Sequence, residues 1–366
     1  MKLTGPTLQS LVGFGLALFS ASAFPQQTLV DQNQRTVVLP EKVERIIGIT
    51  VPSASTVITL DEGTQRLVGM NPTAKRQLED SIMRDMFPSA LSVAGNMAGD
   101  GFAPNVEAIL AAKPDIIFQW GDKGESILNP IEKLNIPLVT FKYGKTDYVT
   151  EWLQLTGQAI QRQDRAEKIL AYFEQTKQQI QQQVAQNELE KPKVLFVFRY
   201  RSGFQVGGKG TSMHTDIERA GGINVAAEQS GFKAINIEQL LLWNPDIILL
   251  TNFESGLSPS SLLNDPQLAN IAAIQQKRVY QYPKGGFVWE PPSQETPLTW
   301  QWLHGLFFPQ QAKGNLRDEI KTYYQLLYNY ALNDEEIDRI LRIDDNQLSR
   351  DYLSLFRPTM QVSHAN

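Results

Sequence analysis

The sequence predicts an α/β fold: two αβ lobes, each with a mostly parallel central sheet, joined by one long helix and followed by a helical C-terminal tail. Three observations carry the prediction. The first is a repeat. Residues 105–118 (Asn105-Val106-Glu107-Ala108-Ile109-Leu110-Ala111-Ala112-Lys113-Pro114-Asp115-Ile116-Ile117-Phe118) align without a gap with residues 236–249, 131 positions later, and seven of the fourteen positions are identical. Each copy reads as a short helix followed at once by a buried strand. Asn105 and Asn236 are good N-caps, because an asparagine side chain accepts from the free N–H groups of a first turn. Apolar positions then recur at helical spacing. Pro114 and Pro245 stop the helix, since proline lacks an N–H and restricts the residue before it. The Ile-Ile pairs beyond have the β-branched, bounded character of inner strands. Two such units in register imply a duplicated lobe. The second observation is that strand-like and helical stretches alternate, as in a parallel sheet covered on both faces. The third is a stretch after Gly157 that no proline or glycine interrupts until near Asn187.

Taken in order, Val37 to Pro40 reads as a short edge strand and Arg45 to Thr50 as a buried one. A helix follows through Leu60, closed by Gly63, and Arg66 to Met70 is the next strand. After the Asn105 unit, a helix over about Ser126 to Leu134 leads to a strand from Ile136 to Phe141. From Asp147 onward Trp152, Leu155, Ile160, Ile169, Leu170, Phe173 and Ile180 recur at near-helical spacing, and the Gln-, Lys- and Glu-rich stretch Asp164 to Glu190 reads as the joining helix. A coiled coil is the alternative, but the apolar heptads are not sustained. The second lobe opens with the strand Lys193 to Phe198. A glycine loop, Gly207 to Gly210, precedes a helix over about Thr211 to Ala220. The Asn236 unit and a strand from Arg278 to Tyr282 complete it. The predicted division is residues 24–160, N-terminal lobe; 161–191, linking helix; 192–310, C-terminal lobe; 311–366, C-terminal helices.

The first residues read as a signal peptide, 1–23. Lys2 precedes an apolar run from Leu11 to Phe19, and Ala21-Ser22-Ala23 offers a small-residue cleavage site after Ala23. That run is too short to span a bilayer. A chain of 366 residues is long enough for two real cores. The net charge of −5 gives no basic field for nucleic acid. With no cysteine and three histidines, disulfides are absent and a dedicated transition-metal cage is disfavoured, so no metal site and no cofactor are expected.

The signal, the strand opening at Arg45, both Asn-x-Glu…Pro-Asp units, the long middle helix, Gly207-Gly208-Lys209 with Ala220 to Asn224, and the Leu303…Phe308-Pro309 helix together resemble a known family. The chain is similar to the periplasmic binding proteins for metal chelates that serve ABC importers of ferric siderophores, haem and cobalamin. The resemblance implies a periplasmic monomer that is not an enzyme. It would hold an iron chelate between two lobes that move little, and deliver it to an inner-membrane permease dimer. It also implies that Glu107 and Glu238, one per lobe, are the carboxylates that dock onto permease arginines. A first-turn carboxylate is equally explained by the helix dipole, worth about 0.3–1 kcal/mol. Haem, cobalamin and a molybdate-type oxyanion remain alternative ligands. An exported enzyme is the rival class, though neither a Gly-x-Ser-x-Gly elbow nor a His/carboxylate cluster supports it.

Candidate ligand-binding residues follow from position. Arg199 and Arg201 flank Tyr200 at a strand's carboxyl end, where α/β sheets bind ligands, and guanidinium groups suit clustered oxygens. Trp120, Tyr143 and Trp289 fall at strand ends or loops, where they either stack on a flat ligand or pack lobe edges. His214, in the first turn after the glycine loop, either ligates a chelated metal or makes a helix-start hydrogen bond. The glycine loop lacks the Walker spacing and reads as a turn facing the cleft.

Overall fold

The computed structural model describes residues 1, 27–311 and 316–357. The expected signal peptide, residues 1–23, lies outside them apart from Met1. The first lobe opens with an antiparallel pair, β1 (Thr28–Val30) and β2 (Thr36–Val38). Then follow β3 (Ile46–Gly48), α1 (Ser53–Asp61), β4 (Leu67–Met70), α2 (Pro72–Glu79), α3 (Met83–Met86), α4 (Val106–Ala112), β5 (Ile116–Trp120), α5 (Asn129–Glu132) and β6 (Leu138–Phe141). The sheet has the order β4-β3-β5-β6 with every pairing parallel. All five residues of β5 are buried, as the continuous apolar run requires. The helix expected over Ser126 to Leu134 is instead a 3₁₀ turn, Glu125–Ile127, followed by the single turn of α5. Pro130, without an N–H, falls where a longer helix would need one.

The repeated unit folds as its residues dictate. Asn105 Oδ1 accepts from the Ala108 N–H at 3.2 Å, and Asn236 Oδ1 from that of Gln239 at 2.9 Å. Both helices end in a left-handed residue just before the proline, Lys113 at φ +45° and Asn244 at φ +42°. The aspartate shared by the two units has its own task in each copy. Asp115 Oδ2 accepts from the N–H groups of Glu44 and Arg45 at 2.7 and 2.8 Å, and Asp246 Oδ2 accepts from Lys193 N at 2.8 Å. Each carboxylate therefore pins the start of the strand beside its own.

Between the lobes the chain forms two helices, α6 (Tyr148–Ala159) and α7 (Gln163–Ala185). The break falls at Gln161, which is left-handed at φ +60°. The second lobe contains β7 (Lys193–Arg199), β8 (Gln205–Gly207), α8 (Ser212–Arg219), β9 (Ile223–Asn224), β10 (Phe232–Ala234), α9 (Ile237–Trp243), β11 (Ile247–Leu250), α10 (Pro259–Leu263), α11 (Ala272–Gln275) and β12 (Val279–Gln281). Its sheet order is β10-β8-β7-β11-β12, with β9 also on β7. The β7–β11, β11–β12 and β7–β9 pairs are parallel, whereas β8 runs antiparallel to both β7 and β10. Alternate residues of β7 and β11 serve two cores: Val194, Phe196, Ile247 and Leu249 on one face, Leu195, Val197, Ile248 and Leu250 on the other.

The tail comprises α12 (Thr296–Phe307), α13 (Leu316–Tyr328), α14 (Asp334–Ile340) and α15 (Tyr352–Phe356). It is no appendage. Helix α12 packs on α7 and α8, while α13 packs on both α12 and α1 of the first lobe. Arg339 of α14 also pairs with Asp85 of α3 at 2.9 Å. One continuous apolar core consequently runs from the first lobe through α7 into the tail.

Candidate functional site

The carboxyl ends of β5, β7 and β11, and the loop after β6, converge on a cavity of about 290 Å³ between the lobes. This is where open α/β sheets take ligands. Its first-lobe wall is aromatic. Trp120, the last residue of β5, meets Phe102, Tyr143 and Trp152 edge-on at 6.2, 5.5 and 5.5 Å between ring centroids. Trp152 is fixed in turn by hydrogen bonds from its indole N–H to Gln32 Oε1 and the Lys142 carbonyl, both 3.1 Å. The second-lobe wall contains Phe198, Phe232, Phe253 and Met213, with Phe198 and Phe232 in contact at 4.4 Å.

Three charged residues line this largely apolar space. Lys123 of the first lobe lies with its ammonium 4.5 Å from the centre of the Tyr143 ring. Arg199, closing β7, stacks its guanidinium 4.3 Å from the centre of the Phe198 ring and donates from Nη1 to the Phe253 carbonyl at 2.8 Å. Both are cation–π arrangements, which hold a cation at an apolar surface without neutralising it. The third is Glu290, only 3 % exposed, whose Oε1 accepts from the Thr251 hydroxyl at 2.8 Å. Burial pushes its carboxyl up to about 7, against the opposing pull of the Thr251 hydroxyl, the Asn252 N–H and the charge on Arg199. The Tyr143 phenol is pushed up to about 12, first by burial and then by the charge of Glu290.

The sequence-predicted residues separate into two groups. Trp120, Tyr143 and Arg199 come together at the cavity. Four others do not. Trp289 is buried within the second lobe, its indole N–H donating to Glu295 Oε2 at 2.8 Å, so it is no cleft wall. Its neighbour Glu290 takes the cavity position. Arg201 is exposed and Tyr200 bonds through its hydroxyl to Asp265, both away from the cavity. The cause is Glu254, whose carboxylate gathers the N–H groups of Tyr200, Arg201 and Ser202 at 2.7, 3.1 and 3.1 Å and turns the chain outward after Arg199. His214 is held within its own lobe by Asn224 at 3.3 Å and Glu218 at 3.4 Å, and it too is absent from the cavity lining. Its backbone N–H meets the Thr211 cap at 3.3 Å, the helix-start role. Sequence reasoning missed Lys123, Phe198 and Glu290. Lys123 and Phe198 lie within three residues of Trp120 and Arg199, so proximity to a strand end was the available signal. Glu107 and Glu238 are both exposed, one in the first turn of α4 and one in that of α9.

The buried carboxyls set a pH dependence of stability. Glu290 is raised to about 7, and Asp216 of α8, which accepts from the Trp300 indole at 2.8 Å, is raised to about 6 by burial. A folded protein that binds protons more tightly than its unfolded chain is stabilised below the unfolded pKa and loses that stability as pH rises through the folded one. Glu290 alone should contribute about 3 kcal/mol at acid pH, lost between about pH 4.5 and pH 7. Urea melts across that interval should show a decline in stability that Glu290→Gln makes shallower. Identical slopes in the two proteins would count against the assignment.

No helix among the described residues is long and apolar enough to cross a membrane. Residues 56–285 match the model of the periplasmic binding protein family. The chain is 25 % identical over 354 residues to the molybdate-binding protein of Haemophilus influenzae, covering 90 % of this chain and 98 % of that one. It is 21 % identical over 217 residues to the Fe(3+)-citrate-binding protein of Bacillus subtilis, covering 58 % and 67 %. A periplasmic solute binding protein from Veillonella parvula superposes with a TM-score of 0.80 at 29 % identity, over 88 % of this chain and 98 % of that one. The duplicated lobes, the cavity between them and the match over residues 56–285 agree: the chain belongs to the periplasmic binding protein family, the substrate-binding proteins of ABC importers.

Proposed function

We propose that this protein captures an anionic, oxygen-rich iron chelate in the interlobe cavity and delivers it to an inner-membrane permease dimer. The observation that carries the reading is the pair of cations, Lys123 and Arg199, one from each lobe, at a cavity walled mainly by aromatic and other apolar side chains. The cations suit clustered ligand oxygens, and the Trp120 indole N–H, without an acceptor among the described residues, supplies a further donor. The six phenyl and indole rings of Phe102, Trp120, Trp152, Phe198, Phe232 and Phe253 suit a ligand with a body larger than a bare ion. Delivery would use Glu107 and Glu238 as the docking carboxylates.

Tryptophan fluorescence can test this, since Trp120 and Trp152 line the site. Ferric citrate and ferric siderophores should quench at about micromolar concentration or below. Arg199→Ala should weaken them about 30-fold, or about 2 kcal/mol, the worth of a hydrogen-bonded charge. A second reading, a molybdate-type oxyanion, is favoured by the relative that matches 90 % of the chain. Saturable binding of molybdate with none of the ferric chelates would select it.

A further inference from the structure

The two cations and the aromatic walls leave Glu290 unexplained: an acidic side chain in a site read as binding an anion. We propose that Glu290 acts as a hydrogen-bond donor to the bound ligand, as a carboxylic acid, so that capture takes up a proton. This rests on the reading that the ligand is anionic and rich in oxygen.

The hydrogen-bond directions assign the two carboxyl oxygens different tasks. Thr251 Oγ1 accepts from the Phe253 N–H at 3.0 Å, and its own hydroxyl donates to Glu290 Oε1 at 2.8 Å. The Asn252 N–H is also directed at this carboxyl. Oε1 is therefore an acceptor already in use. Oε2 is buried and has no partner among the described residues. A buried, unpartnered carboxyl oxygen is costly, and a proton on Oε2 that finds a ligand oxygen removes the cost. A carboxylic acid kept neutral by its surroundings can serve as a donor in this way.

The groups facing Glu290 agree. Arg199 acts on it from the end of β7, while Tyr143 after β6 and Tyr282 after β12 both experience its charge. Beyond Tyr282 the other acidic influence is Asp216 on α8. Ionised, Glu290 would cancel one of the two cations and repel an incoming anion. Protonated, it leaves both cations to the ligand and adds a donor to the same cavity. Linkage is reciprocal: an anion that strengthens proton binding at Glu290 is itself bound more tightly when the proton is there. The same residue thus selects ligands that put an acceptor oxygen at this position, and rejects those that put an apolar edge there.

Calorimetric titration tests the proposal with ferric citrate and sodium molybdate as probes, against wild type and Glu290→Gln. Because burial sets half-ionisation near pH 7, wild-type affinity should fall about 30-fold between about pH 6 and about pH 8.5. In Glu290→Gln, whose amide N–H replaces the acid proton, affinity at about pH 6 should be roughly two- to fivefold weaker and should then change less than about threefold over the same interval. The variant shares any titration of the probe itself, so the difference between the proteins isolates Glu290. Wild type in two buffers of different ionisation heat should take up nearly one proton per ligand at about pH 8. Equal pH slopes in the two proteins, or no proton uptake by wild type, would overturn the proposal while leaving the chelate reading intact. Saturable binding of neither probe to either protein would overturn both.

Discussion

Replacing Glu295 with alanine should lower the free energy of unfolding by about 4 kcal/mol. Glu295 is fully buried where the loop after β12 meets α12 and α13. Its carboxyl accepts from the Trp289 indole and the Tyr324 hydroxyl, both at 2.8 Å, from the Tyr328 hydroxyl, and from the Phe287 N–H at 3.2 Å. Alanine would strand four buried donors from two segments, the loop at Phe287 and Trp289 and helix α13, and open a cavity beside them. Each unsatisfied donor costs about 1–3 kcal/mol before relaxation. Burial raises the carboxyl while the four donors oppose that shift, so the loss concerns polar satisfaction more than charge. Chemical denaturation measures it directly. A change below about 1 kcal/mol would mean that the surrounding tyrosines find other partners.

Reversing the charge at both Glu107 and Glu238 should abolish ligand uptake by cells while leaving the affinity of the purified protein within about twofold of wild type. The two carboxylates occupy the same register of the two repeats, two residues after capping asparagines, and neither lines the cavity. Each is followed one turn later by an exposed leucine, Leu110 at 51 % and Leu241 at 39 %. A duplicated acidic and apolar surface fits a partner that presents two equivalent basic surfaces. If the carboxylates served only their own helix dipoles, reversal would cost about 0.3–1 kcal/mol per helix and leave uptake intact. If affinity fell together with uptake, both residues would act on the ligand instead. Uptake assays on cells, paired with titration of the pure variant, separate the three outcomes.

Much of the fold was legible because its signals are local. An asparagine cap, a helical apolar pattern, a stopping proline and a β-branched pair are all read within fourteen residues. Trp120, Tyr143 and Arg199 were legible as residues of the interlobe cavity because they end strands or follow them closely. What escaped depends on contacts far apart in sequence. The outward turn of Tyr200 and Arg201 is made by Glu254, more than fifty residues away. Trp289 and Glu290 are adjacent in a loop with no periodicity, so only the Glu295 carboxyl, shared by the Trp289 indole and Tyr324 of α13, decides which side chain faces the cavity. The break between α6 and α7 is a single left-handed residue, Gln161, of a type with no strong preference for that conformation. The antiparallel edge formed by β8 and β10 consists of three-residue strands too short to show an alternation.

The seat of α13 on α1 has a consequence for the order of folding. Every residue of α1 from Ser53 to Leu60 is buried, and part of that cover arrives from a helix more than 250 residues later in the chain. The hydroxyl of Tyr328 reaches Thr59, and Gln294 lies between Ser55 and Tyr328. The first lobe, although contiguous in sequence, thus cannot close its own interior. Chains usually fold from the N-terminus domain by domain as they are made. Here the earliest lobe keeps an apolar face open until nearly the last helix has been supplied, and the loop that must close is among the longest the chain permits. Folding should therefore be slow and late, and the two lobes should melt as one cooperative unit.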